Sequence, residues 1–209
     1  MRLTVFGATG RTGSEVVRQA VAAGHDVVAV VRDPARLTVP AGRGLGVVTA
    51  DVMEPAQIGP AVKGADAVVS ALGPRPGGPV TVLTDGVRSI LATMEDAGLR
   101  RLVAVSASGA FIEPDEPFVT RVLVKPLLQR FLGDSVADTR RMEREIWASD
   151  TDWTLIRPPR LTNRPGRGRY RREIGRNVGR NIARADVADA ILAALADPAT
   201  IGHTVGIGY

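Results

Sequence analysis

Three glycines close to the start of the chain have the types and spacing of a phosphate-binding turn. They lie in the run Gly7-Ala8-Thr9-Gly10-Arg11-Thr12-Gly13, after an apolar stretch and before a helical pattern, with a spacing one residue longer than the common G-x-G-x-x-G. The first glycine permits a tight turn, the second lets the backbone approach a phosphate, and the third lets the helix pack closely on the sheet. Free N–H groups at the helix start favour a pyrophosphate. We therefore predict that a dinucleotide contacts Gly7, Thr9, Gly10, Arg11, Thr12 and Gly13.

Cations at the end of the second apolar stretch predict which dinucleotide binds. An acidic side chain at this position favours the ribose of NAD, whereas Arg favours the 2′-phosphate of NADP. Arg32 comes first after the stretch, Arg36 follows, and Arg11 is a third cation for the same phosphate. Asp33 is the opposing residue, with pairing to Arg36 as its alternative role. The sequence favours NADP (NADPH) over NAD, and solvated surface charge is the alternative interpretation of Arg32 and Arg36.

Short apolar stretches alternate with helical patterns along the chain. Apolar stretches predict strands at residues 2–6, 26–31, 66–72, 101–107 and 153–157, a weaker strand at 45–49 and a possible last short strand at 203–207. Where a stretch is continuously apolar, we expect burial on both faces. Apolar residues at helical spacing predict helices over 13–23, 55–62, 80–94, 136–147 and 185–196. Such alternation pairs strands in parallel through right-handed crossovers. The predicted fold class is α/β, a single-domain doubly wound parallel sheet of the Rossmann type.

The predicted domain covers residues 1–209 and contains two long connections. They lie at about 108–118 and 158–184, directly after strands, and are rich in Pro, Gly or Arg. Because ligands bind at the carboxyl edge of an open α/β sheet, we expect both connections to face the substrate. Ten Arg and a single acidic residue lie between Arg157 and Arg184, in a chain whose net charge is +5.

Composition removes several kinds of site from consideration. The 209 residues include no Cys and only two His, His25 and His203, so we expect no disulfide, no metal site and no Ser-His-Asp triad. No apolar run approaches the roughly 20 residues of a membrane-spanning helix. The first residues also lack a signal-peptide pattern. These features predict a cytoplasmic protein with no membrane partner.

Several motifs together resemble the short-chain dehydrogenase/reductase superfamily. They are GATGRTG at residues 7–13, VRDPAR at 31–36, Asp51-Val52, RLVAVSA at 101–107, TDWTLIRPP at 151–159 and IARADVA at 182–188. The sequence is more closely similar to an atypical single-domain branch of NAD(P)H-binding proteins, which includes biliverdin-IXβ reductase (also a flavin reductase) and the NmrA-like redox sensors. The resemblance implies that Asp51 and Val52 hold the adenine. It further implies that Leu72 and Gly73 flank the nicotinamide-side ribose and that Pro158 borders the nicotinamide.

The chain departs from this superfamily at the residues of the chemistry. The usual Tyr-x-x-x-Lys pair is absent, because neither Tyr170 nor Tyr209 is followed by Lys four residues later. In the resembled family the fifth strand often ends in two hydroxyl residues, the second being the suggested catalytic Ser, and here that position holds Ala107. Ser106 and Ser108 on either side are the candidate catalytic residues, with a structural role at the strand end as the alternative.

These features favour an NADPH-dependent oxidoreductase that transfers a hydride to a conjugated acceptor. A simple ketone needs a positioned proton donor. A flavin, bilin or quinone-like acceptor instead spreads the charge and takes its proton from solvent, so the protein need only orient the partners. Arg side chains of the 158–184 connection suit the phosphate or carboxylates of such an anionic substrate.

Other functions stay open from the sequence. A non-catalytic NADP(H)-sensing regulatory or docking protein is consistent with the missing Tyr/Lys pair, and a biosynthetic tailoring reductase or isomerase is a third class. Nucleic acid is disfavoured because Tyr170 is the only aromatic residue in the basic segment. The Arg residues alternatively form a solvated or partner-docking surface.

Asp138, Arg141 and Glu143 are expected to form an exposed charge network on one helix. The oligomeric state and the physiological acceptor are not predicted.

Overall fold

The computed structural model describes residues 1–74, 78, 80–111, 122 and 133–209. The strands are β1 (Arg2–Phe6), β2 (Asp26–Val31), β3 (Leu45–Thr49), β4 (Ala67–Ser70), β5 (Arg101–Val105), β6 (Asp152–Arg157), β7 (Arg160–Thr162), β8 (Arg171–Ile174), β9 (Asn181–Ala183) and β10 (His203–Gly208). The helices are α1 (Arg11–Ala22), α2 (Pro55–Val62), α3 (Val82–Asp96), α4 (Gly133–Trp147) and α5 (Arg184–Leu195). Each strand and helix predicted from the sequence corresponds to one of these elements. Within the described ranges, every helix is too short or too polar to cross a bilayer.

The strands build a mostly parallel sheet with helices on both faces. Over the described residues its order is β3-β2-β1-β4-β5-β6-β10-β8. The chain returns from the β3 edge to β4, which pairs with β1 on the side opposite β2. The carboxyl ends of β1 and β4 therefore form the topological switch point, where ligands bind in this fold class. The predicted single-domain Rossmann-type fold is confirmed.

Two hydrophobic clusters lie on opposite faces of the sheet, and the central strands β1, β4, β5 and β6 contribute to both. In β4, Ala67 and Val69 join the cluster covered by α1 and α5, whereas Val68 joins the cluster under α2, α3 and α4. Because both faces are buried, successive residues of one strand are apolar, which explains the continuous apolar stretches of the sequence. Complete burial of a large aliphatic side chain stabilises the fold by about 1.5–3 kcal/mol.

The connection predicted at 158–184 contains secondary structure that its sequence does not indicate. β7 and β9 pair in parallel as a small separate sheet, and β8 pairs antiparallel with β10 at the edge of the main sheet. These strands have only three or four residues; β8 is mostly charged, whereas Ile182 and Ala183 of β9 are completely buried. Segments this short carry no recognisable apolar pattern, and backbone pairing helps to hold them in place.

The connection predicted at about 108–118 is described only at its start. Residues 108–110 form a 3-10 turn directly after β5. Residues 112–118 lie outside the described residues, so the expectation that this connection faces the substrate stays a prediction.

Candidate functional site

Gly7 begins the site, at a position where a side chain has no room. Its φ of +75° is a left-handed conformation that favours glycine. A Cβ on Gly7 would lie 2.4 Å from the carbonyl oxygen of Ala71, which follows β4. The N–H of Ala71 donates to the carbonyl of Phe6 at 3.0 Å, so β1 and β4 stay paired up to this turn. Glycine therefore lets the loop after β1 (the glycine loop, residues 7–13) cross the end of β4.

Gly13 determines how closely the glycine loop approaches α1. A Cβ on Gly13 would lie 2.2 Å from the carbonyl oxygen of Gly7. The same oxygen accepts a hydrogen bond from the N–H of Gly10 at 2.9 Å. Gly10 is the N-cap of α1, makes no side-chain cap hydrogen bond, and no acidic residue lies in the first turn. The partial positive charge at this helix start is therefore available to an incoming anion.

The other residues predicted from the glycine run surround this helix start. Gly10 and Arg11 are exposed, and Thr9 and Thr12 are half-buried. Gly7 and Gly13 thus shape the turn, while these four residues form its accessible surface. The fold brings the predicted pyrophosphate-binding residues together, and their contact with a dinucleotide stays a prediction.

Val52 and Leu72 meet at a glycine of α3. A Cβ on Gly86 would lie 2.8 Å from Cδ1 of Leu72 and 3.4 Å from Cγ1 of Val52. The predicted adenine residue Val52 and the predicted ribose residue Leu72 therefore belong to one apolar wall beside the glycine loop. The sequence analysis does not single out Gly86. A glycine inside a helical pattern is nevertheless a signal, since it costs about 1 kcal/mol relative to Ala and needs a packing reason.

Asp51 and Gly73 are the chain neighbours of the two residues in this apolar wall. The Oδ1 atom of Asp51 accepts from the N–H of Met53 at 3.1 Å, and the N–H of Asp51 donates to Oε1 of Gln57 at 3.0 Å. Gly73 is exposed, and a Cβ placed on it would meet no atom within 4 Å. The loop after β4 therefore leaves room for a ligand next to the glycine loop.

Arg32 and Arg36 are exposed just after β2, and neither forms an ion pair within the part of the chain that is described. Asp33 caps the 3-10 turn Pro34–Arg36, because its Oδ1 accepts from the N–H of Ala35 at 3.0 Å. The carboxylate of Asp33 thus serves the backbone and does not pair with Arg36. Both guanidinium groups are accessible to a phosphate, which is what the NADP prediction requires.

A buried Ser–Glu–Arg cluster lies where β5 and β6 end. The hydroxyl of Ser106 donates to Oε1 of Glu143. Glu143 is completely buried, and Nε and Nη2 of Arg157 donate to its two oxygens at 3.0 and 2.5 Å. The guanidinium of Arg157 also lies 3.8 Å from the centre of the Phe111 ring. The bidentate pair of Arg157 and Glu143 compensates two charges whose burial is otherwise costly. The hydroxyl proton of Ser106 is already used in the hydrogen bond to Glu143.

Ser108 and Pro158 meet across the ends of the same two strands. The N–H of Ser108 donates to the carbonyl of Pro158 at 3.0 Å, and both residues are buried. The N–H of Ser106 donates to the carbonyl of Ile156 at 2.8 Å. The predicted nicotinamide residue is therefore held beside both candidate catalytic serines.

Asp138 and Glu143 do not form an exposed charge network, and that expectation is wrong. Only 2% of Asp138 and 0% of Glu143 is exposed. The carboxylate of Asp138 accepts from the N–H of Leu83 at 2.9 Å and of Thr84 at 3.2 Å, which caps the first turn of α3. Helical spacing shows which residues share a face but not whether that face is buried, so the pattern alone misleads.

A cavity of about 680 Å³ opens beside β7 and β9. Its lining residues are Arg160, Leu161, Thr162, Asn163, Arg164, Arg180 and Asn181. The Oδ1 atom of Asn163 accepts from Nη1 of Arg184 at 2.6 Å, at the start of α5. Burial lowers the pKa of Arg184, and the positive charge of Arg11 lowers it further. Arg184 therefore connects this cavity with the glycine loop.

Known proteins share this architecture. A family model described as NAD(P)H-binding matches residues 7–198. The uncharacterized protein YwnB of Bacillus subtilis is 26% identical over 95% of this chain and 93% of its own length. A short-chain dehydrogenase/reductase from Veillonella parvula, solved in complex with NADP, has a TM-score of 0.80 at 19% identity, covering 100% of this chain and 94% of that chain. ChuY from Escherichia coli O157:H7, an anaerobilin reductase, has a TM-score of 0.80 at 23% identity, covering 99% and 97%. These two structural likenesses show a common fold.

Proposed function

We propose, from the premise that this chain belongs to the NAD(P)H-binding family, that it is an NADPH-dependent oxidoreductase acting on a conjugated acceptor. The observation that carries this proposal is the start of α1 at the switch point, which has no side-chain cap and no acidic residue. Such a helix start favours a pyrophosphate. The exposed Arg32 and Arg36 favour the 2′-phosphate that distinguishes NADPH from NADH.

The residues at the carboxyl edge of the sheet fit a bound dinucleotide. In this proposal the glycine loop holds the pyrophosphate, Asp51 and Val52 hold the adenine, Leu72 and Gly73 flank the second ribose, and Pro158 borders the nicotinamide. The close approach that Gly7 and Gly13 permit is what a phosphate against the backbone requires. NADPH supplies the hydride when it is bound. The chain itself orients the two partners and limits the access of water.

The Ser–Glu–Arg cluster supports an acceptor that needs no proton donor from the protein. The Ser106 hydroxyl already donates to Glu143, and Arg157 holds that carboxylate. Reduction of a flavin, bilin or quinone-like ring places charge on nitrogen and oxygen atoms that solvent can protonate. We infer that Ser106 and Ser108 act by fixing the strand ends around Pro158. A bilin, the class of acceptor named for ChuY, is within the proposed range.

Oxidation of NADPH by the purified protein, with FMN as the acceptor, tests this function. We expect FMN-dependent turnover that is faster with NADPH than with NADH. NADPH binding without turnover on FMN, biliverdin or a quinone would contradict the reductase and favour an NADP(H)-sensing regulator. Conversion of one small metabolite alone would instead favour a tailoring reductase or isomerase.

Arg32→Asp tests the preference between the two dinucleotides. We expect NADPH affinity to fall by about tenfold or more, because a charge-assisted bond to the 2′-phosphate is replaced by repulsion. NADH, which has no such phosphate, should bind nearly as before. Binding titrations with both cofactors measure the difference, and Arg43→Asp, an exposed site before β3, is the control. Equal losses for NADPH and NADH would remove Arg32 as the specificity residue.

A further inference from the structure

We propose that the cavity beside β7 and β9 binds the anionic arm of the acceptor, a phosphate monoester or a carboxylate. This inference rests on the proposed function and assigns one part of the acceptor to one part of the surface. Three of the cavity's lining residues are Arg160, Arg164 and Arg180, and none is acidic. None of these three side chains forms an ion pair within the described ranges of the chain.

Three other Arg residues of the same segment have partners within the protein. Arg157 is buried against Glu143, Arg172 pairs with Asp197, and the guanidinium of Arg167 lies 4.0 Å from the centre of the Tyr209 ring. Cations that hold the fold together thus have partners within the protein. Those that line the cavity are left for a ligand, and an Arg guanidinium binds phosphate and carboxylate through two parallel hydrogen bonds.

The size of the cavity favours a small molecule. Its volume of about 680 Å³ lies within the range of roughly 300–1,000 Å³ that is typical of small-molecule sites. Thr162, Asn163 and Asn181 add polar groups among the Arg side chains. A cavity of this size without aromatic lining residues suits one arm of a ligand better than a continuous strand of nucleic acid, which needs a groove and stacking aromatic residues.

Charge next to the cavity adds to its attraction for anions. Arg184 donates to Asn163 in the cavity lining, and the positive charge of Arg11 acts on Arg184 from the glycine loop. Two cations held close together repel each other, and an anion placed near them relieves that repulsion. The positive charge of Arg184 therefore acts on the cavity from the side of the glycine loop.

The cavity also lies at a suitable distance from the proposed reaction centre. Pro158, the predicted nicotinamide neighbour, precedes Arg160 by two residues, which span about 7 Å in an extended chain. A planar acceptor whose ring contacts Pro158 would therefore reach the cavity with a short flexible arm. Flavin mononucleotide carries its phosphate on such an arm, and bilins carry carboxylates on propionate arms.

Two matched acceptor pairs test the proposal, because the members of each pair differ only in the anionic group. FMN is compared with riboflavin, and biliverdin with its dimethyl ester. We expect the KM of the anionic member to be lower by about tenfold or more in at least one pair, as for the gain of a charge-assisted bond. The pair that shows the difference identifies phosphate or carboxylate as the group bound.

The variant Arg160→Gln/Arg164→Gln/Arg180→Gln should bring that KM ratio close to one. The control Arg169→Gln/Arg171→Gln changes two exposed Arg residues outside the cavity and should leave the ratio as in the wild type. Melting curves and NADPH titrations show whether the triple variant is folded. A folded triple variant that keeps the wild-type ratio would overturn the proposal, and so would a wild-type ratio near one in both pairs.

The outcomes separate this inference from the proposed function. Turnover of riboflavin and FMN with equal KM would leave the reductase intact and reject the anionic subsite. If no acceptor is reduced, the reductase fails, and quenching of FMN and riboflavin fluorescence then measures binding directly. Tighter binding of FMN that the triple variant abolishes would support the subsite, and equal binding of both flavins would reject it.

Discussion

Gly13 is a position in the glycine loop at which a side chain has no room. In Gly13→Ala, the new Cβ would lie 2.2 Å from the backbone oxygen of Gly7, so the loop must move. We expect about 1–3 kcal/mol of lost stability from overpacking and a loss of NADPH affinity of about tenfold or more. Gly42→Ala is the control, because a Cβ there meets no atom within 4 Å. Wild-type NADPH affinity in a folded Gly13→Ala protein would show that a phosphate does not use this loop.

Glu143 is a buried carboxylate, and its removal would leave the buried guanidinium of Arg157 without this counter-charge. In Glu143→Gln, Arg157 stays buried but loses the carboxylate that binds it. Removal of one partner of such a buried pair typically lowers the free energy of unfolding by about 3–5 kcal/mol. Glu145→Gln on the same helix removes the partner of the exposed Arg88 and should have a much smaller effect, because solvent screens that pair. Urea unfolding of both variants measures the two losses. Similar values would mean that the Ser–Glu–Arg cluster is not what holds β5 and β6 to α4.

The strands and helices that the sequence predicts are those with a repeating apolar pattern. β1, β2 and β4 are continuously apolar because both faces of the sheet are covered. β8 carries Arg171 and Arg172 on a sheet edge, where backbone bonds to β10 suffice, so no apolar pattern marks it. An apolar pattern in the sequence indicates which faces are buried. It does not predict a strand such as β8, which forms without a buried face.

The residues of the candidate site also differ in how far they can be predicted from the sequence. The glycine loop is predictable because its function depends on consecutive residues between one strand and one helix. The roles of Glu143 and Asp138 are not, because their partners lie on other elements: Ser106 is 37 residues away from Glu143, and Leu83 is 55 residues away from Asp138. Only the folded chain shows that these carboxylates face inwards.

Asp186 joins three elements near the carboxyl end of the chain. Burial opposes its charge, but hydrogen bonds from the Tyr209 hydroxyl and from the N–H groups of Arg167 and Gly168 outweigh that effect and lower its pKa. A carboxylate whose folded pKa lies below the unfolded value of about 3.9 stabilises the fold above that pH. This contribution is lost as the pH falls through the folded pKa.

Asp186→Asn should therefore destabilise the protein by about 1.5–3 kcal/mol at pH 7, the typical contribution of hydrogen bonds to a charged group. Below pH 4 the difference from the wild type should shrink, because the wild-type carboxyl is protonated first in the unfolded protein and, at lower pH, in the folded one. Urea unfolding at pH 7 and pH 3 measures both values. The control is Asp189→Asn, at an exposed carboxylate that accepts from the Tyr170 hydroxyl. A difference that stays constant with pH would contradict this role of the Asp186 charge.

The whole molecule should gain stability from a dinucleotide, because the proposed contacts come from the ends of several strands of one sheet. NADPH at about 100 times its Kd should stabilise the fold by about 2.7 kcal/mol. For a domain of this size that corresponds to a rise in Tm of about 5–11 °C. NADH at the same concentration should give a smaller rise. Differential scanning calorimetry measures both, and equal shifts would contradict the preference for NADPH.

The cap that Asp138 provides for α3 has a consequence for synthesis of the chain. Leu83 is translated 55 residues before the carboxylate that satisfies its N–H group. At about 5–20 residues per second, this interval lasts about 3–11 s. During that time the ribosome has released the first turn of α3 without its cap, and solvent or a chaperone must satisfy these amides. The first turn of α3 therefore gains its cap only after α4 has emerged.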